Sequence, residues 1–116
     1  MRYMMINYVN EAGWPTLTKA EQEAGMAAYA AYAEALITAG AFVSSGRLQP
    51  TATARTVRLA GGKPKVLDGP YAESKEVFGG YFIIEAENED AALAWAARSP
   101  AIGHGVVEVR PLWDTT

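Results

Sequence analysis

The chain contains no cysteine and a single histidine, and none of its apolar runs reaches the length of about 18 residues that would suggest a bilayer-spanning helix. Lack of cysteine excludes a disulfide framework, a thiolate nucleophile and the usual cysteine zinc sites, while leaving the redox compartment undecided. The opening MRYMMINYVNEAGW is interrupted at Asn7 and is followed by no secretory cleavage pattern, so a soluble cytoplasmic protein with no membrane partner is expected. With 10 Lys+Arg against 13 Asp+Glu, a net charge of -3 gives no broad attraction for nucleic acid. No phosphate loop, dinucleotide fingerprint or nucleophile elbow is present, and no cofactor is implied. Neither a second histidine nor a cysteine cluster points to a metal.

What is present is enough to build a core. Half of the 116 residues are hydrophobic, which argues against disorder and for one domain over residues 1–116. Arg2 to Val9, rich in aromatic, Met and β-branched residues, predicts a strand. Thr18 and Glu21 have the spacing of a capping box, and a helix is predicted from Lys19 to Ala39, stopped by Gly40. Met26, Tyr29, Ala33, Leu36 and Ile37 recur at the spacing of its inward face. Phe42 to Leu48 reads as a second strand, with Gly46 as a bulge candidate and Pro50 as its limit.

Arg55 to Ala60 and Lys65 to Asp68 flank Gly61-Gly62, a hairpin signal because both glycines tolerate positive φ. A two-residue loop would set Val57 opposite Val66 and Arg55 opposite Asp68, and Pro64 would then prefer an edge. Gly80 to Glu87 predicts a strand with Phe82, Ile84 and Ala86 on one face and Tyr81, Ile83 and Glu85 on the other. Asn88 caps a following helix whose inward stripe is Ala92, Trp95 and Ala96. Gly105 to Leu112 returns as a strand, with Val107 and Val109 opposite to Val106, Glu108 and Arg110. The resulting order predicts an α+β fold, a ferredoxin-like sandwich with an inserted hairpin, both helices covering one sheet face. The other, largely apolar face makes a homodimer the expected assembly.

LQPTATARTVRL, LDGPYAESKEVFGGYFIIEAENEDAALAWAARSP and GVVEVRPLW, in that order and together with the RYMMINY strand, resemble the DGPF branch of the YCII-related family. That resemblance covers nearly the whole chain. It implies a dimeric α+β barrel, made when two ferredoxin-like sheets pack face to face, with small-molecule clefts between sheets and helices. An enzymatic role using a His and an Asp has been considered for YCII relatives. Here the signature is DGPY, with Tyr71 in place of Phe, and YMMINYVN lacks the first-strand His that relatives can carry, so a His-Asp dyad does not transfer intact.

Asp68 is the leading acid/base candidate, since a carboxylate can accept a proton and Gly69-Pro70 fixes a sharp chain direction; its structural alternative is a turn acceptor or a partner for Arg55. His104, between Gly103 and Gly105, is the second catalytic candidate or a surface-loop residue. Glu73, in an alternating charged run with Lys75 and Glu76, binds a polar substrate or simply faces solvent. Tyr71 and Tyr81 offer phenolic hydrogen bonds or packing with a polar edge. Glu108 and Arg110 share a strand face, where Arg110 would hold a carboxylate or phosphate and Glu108 would orient it, or the two would form a structural ion pair; Arg47 is a candidate member of that group. Two functions compete. One is an enzyme catalysing proton transfer, elimination or hydrolysis on a small polar or anionic molecule; the other is a noncatalytic ligand-binding or protein-interaction module.

Overall fold

The computed structural model describes residues 1–114. Its strands are β1 (Arg2–Val9), β2 (Phe42–Arg47), β3 (Arg55–Ala60), β4 (Lys63–Asp68), β5 (Val77–Glu85) and β6 (Gly105–Pro111), and its helices are α1 (Lys19–Thr38) and α2 (Glu89–Ala97). One antiparallel sheet has the order β2-β5-β1-β6, and β3 pairs with β4 alone. Two βαβ crossovers therefore interleave, each enclosing a strand of the other. The chain is mixed α+β, and no helix among the described residues is long and apolar enough to cross a membrane.

Local chemistry explains the boundaries. The Thr18 hydroxyl accepts from the Glu21 amide at 3.1 Å while the Glu21 carboxylate accepts from the Thr18 amide at 2.9 Å, closing the capping box. Asn88 accepts from the Ala91 amide at 2.9 Å to start α2, with Glu89 and Asp90 in its first turn suiting the positive end of the helix dipole. Gly61 and Gly62 hold φ of 59° and 79°, and the hairpin register sets Arg55 against Asp68 and Val57 against Val66. Pro64 sits inside β4 opposite Leu59, which a two-stranded ladder tolerates because both strands are edges.

Both helices cover one sheet face. Tyr3, Met5, Phe82 and Ile84 of the sheet share a core with Tyr32 and Leu36 of α1 and Ala92 and Ala96 of α2. Met5, Leu36 and Ile84 are fully buried, each worth about 1.5–3 kcal/mol of transfer free energy. Tyr32 meets Phe82 edge to face with centroids 5.2 Å apart, and its hydroxyl donates to the Trp95 carbonyl at 2.7 Å, joining the two helices. Burial raises its pKa to about 12.

Three expectations are corrected. Met26 and Ile37 of α1 are 57% and 53% exposed, and Tyr32 takes the inward position instead. Alanine fills so much of this helix that the sequence presents apolar positions on every side and does not single out one stripe. The bulge in β2 falls between Phe42 and Ser44 rather than at Gly46. Strand β5 begins at Val77 and ends at Glu85, so its glycine pair lies within the ladder rather than at its start.

Candidate functional site

Alternation along the strands places the polar groups. Tyr3 and Met5 point to the helices, so Asn7, two residues on, shares their side of the sheet. Asn7 pairs with Gly80 on one side and with Val107 on the other, and Gly80 pairs with Arg47. Arg47, Gly80, Asn7 and Val107 therefore form one row across the sheet. Gly80 contributes no side chain between Arg47 and Asn7, whose Cα atoms are two strand spacings or about 10 Å apart; Gly80 is itself buried, and an added Cβ would come within 2.9 Å of the Gly46 carbonyl oxygen. Asn7 is buried, and its amide oxygen has no hydrogen-bond partner. A buried acceptor left unpaired costs about 1–3 kcal/mol.

Helix α1 and two turns wall this corner. The Arg47 guanidinium lies 4.9 Å from the centroid of Trp14, within cation-π range. Trp14 belongs to a 3-10 turn, Trp14–Thr16, held against α1 by Gln22, whose amide donates to the Trp14 carbonyl at 3.1 Å. At Gly25 an added Cβ would already touch the Trp14 ring at 3.4 Å, so the small residue seats the indole. The Tyr29 hydroxyl and His104 Nε2 lie 3.1 Å apart, with their rings edge to face. Burial raises the Tyr29 pKa, and the nearby Arg47 charge opposes that shift. Tyr29 thus keeps its proton at neutral pH, and its hydroxyl donates to His104 Nε2 or accepts from it according to the imidazole tautomer.

The other polar candidates lie elsewhere. On the sheet face away from the helices, the Tyr8 hydroxyl donates to Glu108 at 3.0 Å and packs edge to face on Phe78. The hydrogen bond to Glu108 is the main cause of a raised Tyr8 pKa, and Arg110 opposes it. Tyr81 lies on that face over Gly46, where an added Cβ would come within 2.7 Å of its ring. Arg47 is on the opposite side of the sheet from Glu108 and Arg110, because Arg47 aligns with Gly80 and Asn7, whereas Glu108 aligns with Ile6. Asp68 ends β4 in the hairpin, with its side chain 89% exposed and Oδ1 3.2 Å from Arg55 Nε. Tyr71 is 84% exposed. Glu73 lines a shallow depression of about 300 Å³ together with Thr51, Pro70, Ser74 and Val77. Among the described residues no group of three His, Cys, Asp or Glu could hold a metal.

Of the residues singled out in the sequence, the fold thus brings His104 and Arg47 to one corner. Tyr81, Glu108 and Arg110 share the opposite face, and Asp68, Tyr71 and Glu73 are in the hairpin and the loop after it. Sequence reasoning missed Asn7, Trp14 and Tyr29 as site residues. Asn7 carried a signal, an amide interrupting an apolar strand at a core-facing position.

A YCII-related domain model matches residues 1–116. An uncharacterised protein of Rhizobium meliloti (strain 1021) is 34% identical over 116 residues, spanning 97% of this chain and 92% of that protein. The fold resembles that of 5-chloro-2-hydroxyhydroquinone dehydrochlorinase (TftG) from Burkholderia phenoliruptrix AC1100, solved in complex with 2,5-dihydroxybenzoquinone. That match has a TM-score of 0.56 and 17% sequence identity, covering 97% of this chain and 94% of the other.

Proposed function

This chain belongs to the YCII-related domain family, and from that premise we propose that it acts on a small anionic molecule at the corner formed by Asn7, Trp14, Tyr29, Arg47 and His104. The observation that carries this reading is Asn7, a buried amide with an unpaired oxygen, in register with Gly80 and, across it, with Arg47. Arg47 would attract and orient the anion, and Tyr29, held protonated, would donate a hydrogen bond. His104 would move the proton in a proton-transfer or elimination step. Trp14 offers an aromatic wall, a surface suited to a flat ring such as the dihydroxyquinone bound by the dehydrochlorinase of similar fold.

The active unit in this reading is a cytoplasmic homodimer of the DGPF branch, closed as an α+β barrel. Its support is the sheet face turned away from the helices, where Ile6 and Ile83 lie beside Tyr8, Phe78 and Tyr81. Asp68 keeps its acid/base candidacy only if an assembly carries the hairpin to a corner, since within one chain its recorded ion pair is with Arg55.

The test is thermal stabilisation by benzoate, inorganic phosphate and 2,5-dihydroxybenzoquinone, followed by proton-exchange or elimination assays on whichever binds. Stabilisation of the wild type that disappears in both Arg47→Ala and His104→Ala supports the reading, because a ligand that prefers the native state raises its melting temperature. Equal stabilisation of all three proteins would sink it. Binding without turnover would select the noncatalytic module, which would use the same donors.

A further inference from the structure

The turn that carries Trp14 is tied down by a carboxylate outside the corner. Within that turn the Gly13, Thr16 and Leu17 amides donate to the Asn10, Gly13 and Trp14 carbonyls, each at 3.1 Å, so these donors are used inside it. Gln22 fixes the turn to α1. Its other attachment is Glu11, whose Oε2 accepts from the Thr51 amide at 2.7 Å and whose Oε1 accepts from the Thr51 hydroxyl. Both residues are half-buried. One residue thus engages both oxygens of the carboxylate, in charge-assisted bonds that are shorter and stronger than neutral ones.

Thr51 is a fixed anchor. It opens a 3-10 turn, Thr51–Thr53, in which the Thr53 and Ala54 amides donate to the Pro50 and Thr51 carbonyls at 2.9 Å. The Thr51 amide has no acceptor within that turn, and Glu11 supplies one. Gly69 clamps the end of the turn: its amide donates to the Ala54 carbonyl and its carbonyl accepts from the Thr56 hydroxyl, both at 2.8 Å. Gly69 holds φ of 98°, so the glycine of the DGPY segment is needed here for its backbone.

Two cross-links therefore join the same pair of segments, Glu11 to Thr51 and Trp14 to Arg47. Strand order makes a tie necessary. β5 lies between β1 and β2, and Val9 pairs with Val77 at the start of β5, so the chain leaving β1 has to cross the end of β5 before Trp14 can meet Arg47. Arg47 is exposed on an edge strand, where a cation-π contact is by itself a weak tie. We propose that Glu11 is a positioning residue of the corner: it fixes the Trp14 turn to Thr51, so that the indole stands over Arg47 and holds the guanidinium in one orientation toward the anion. This role rests on the corner reading above; Glu11 itself does not touch the ligand. The DGPY segment then takes part in the site through the turn that Gly69 holds, with no chemical step at Asp68.

Hydrogen exchange, and titration with benzoate, inorganic phosphate and 2,5-dihydroxybenzoquinone, test it on the wild type, Glu11→Ala and Glu11→Gln. In Glu11→Ala, peptides covering residues 10–17 and 50–54 are expected to exchange faster while those of α1, α2 and the four-stranded sheet do not change. The dissociation constant of whichever probe binds the wild type is expected to rise about tenfold. Glu11→Gln keeps the shape and one acceptor oxygen, and is expected to fall between the two. Exchange at 10–17 no faster than in the wild type overturns the attachment, and acceleration of every peptide alike overturns its local character. Faster exchange of the turn with an unchanged dissociation constant overturns the positioning role and leaves the corner standing. A wild type that binds none of the probes sinks the corner and the positioning role together.

Discussion

Tyr29 Oη and His104 Nε2 lie 3.1 Å apart, linking the middle of α1 to the turn that precedes β6. The contact joins two segments that the sequence separates by 75 positions. His104 is exposed and can replace its partner with water, so Tyr29→Phe is expected to cost only about 0.5–1.5 kcal/mol of stability. The same change is expected to abolish ligand-induced stabilisation by whichever of benzoate, phosphate or dihydroxybenzoquinone binds. Urea denaturation with and without ligand separates the two effects.

Asp68 and Arg55 form an ion pair on an exposed hairpin, where screening and side-chain entropy offset most of the attraction. Asp68→Asn is expected to change stability by about 0–1 kcal/mol, with the residual effect declining as salt is added. A double-mutant cycle with Arg55→Gln measures the pair directly. A loss of several kcal/mol would mean that the carboxylate has further partners in the assembled protein.

The hairpin register was legible because it is a local matter: two glycines with positive φ fix the turn, and counting outward fixes every pair. Strand faces were legible for the same reason, since Phe82 and Ile84 alternate with Tyr81 and Ile83. The corner was not. Arg47 and Asn7 come together only because β5 inserts between β1 and β2 and offers Gly80 to both, a relationship set by strand order and by two bulges. Tyr29 read as an ordinary apolar-face residue, because nothing near it in sequence announces a histidine on the far side of the chain.

Glycine substitutions in the sheet separate side-chain from backbone crowding. A Cβ on Gly46 would meet the Tyr81 ring at 2.7 Å, and the ring can swing away at a cost of about 1–3 kcal/mol. A Cβ on Gly105 would overlap the Tyr8 carbonyl oxygen, which the β1–β6 ladder holds in place. Gly105→Ala is therefore expected to destabilise the protein more than Gly46→Ala, by upwards of about 3 kcal/mol. Denaturant midpoints of the two variants decide the order.

Alkaline stability should report Tyr32. Its phenol has a folded pKa of about 12 against an ordinary 10.0, so the folded state holds its proton where the unfolded chain has lost it. The stabilisation is complete below pH 10.0 and fades as pH rises toward about 12, through preferential ionisation of the unfolded chain. Tyr32→Phe loses the hydrogen bond to the Trp95 carbonyl and is expected to be less stable near neutrality by about 0.5–1.5 kcal/mol. The gap should narrow across the alkaline interval, because phenylalanine cannot ionise. Melting temperatures of both proteins as a function of pH would show a constant gap if the shift were absent.

Asn7 offers the sharpest separation of folding from function. Its neighbours along β1 on the helix side are Tyr3 and Met5, and an amide at this position interrupts an otherwise apolar row. Leucine has the same forked side chain, somewhat bulkier and with no unpaired acceptor, so Asn7→Leu removes a desolvation penalty and adds apolar burial. The variant is expected to gain about 1–3 kcal/mol in urea denaturation while losing the stabilisation that the small anion gives the wild type. Such a trade is characteristic of a group kept for binding rather than for stability. If Asn7→Leu is instead destabilised, the amide has a structural partner, a bound water or the second copy, and the corner loses the observation on which its functional reading stands. Asn7→Asp sharpens the outcome: a buried carboxylate would oppose an anionic ligand, so weaker binding with Asp and none with Leu would mark the amide as a ligand contact.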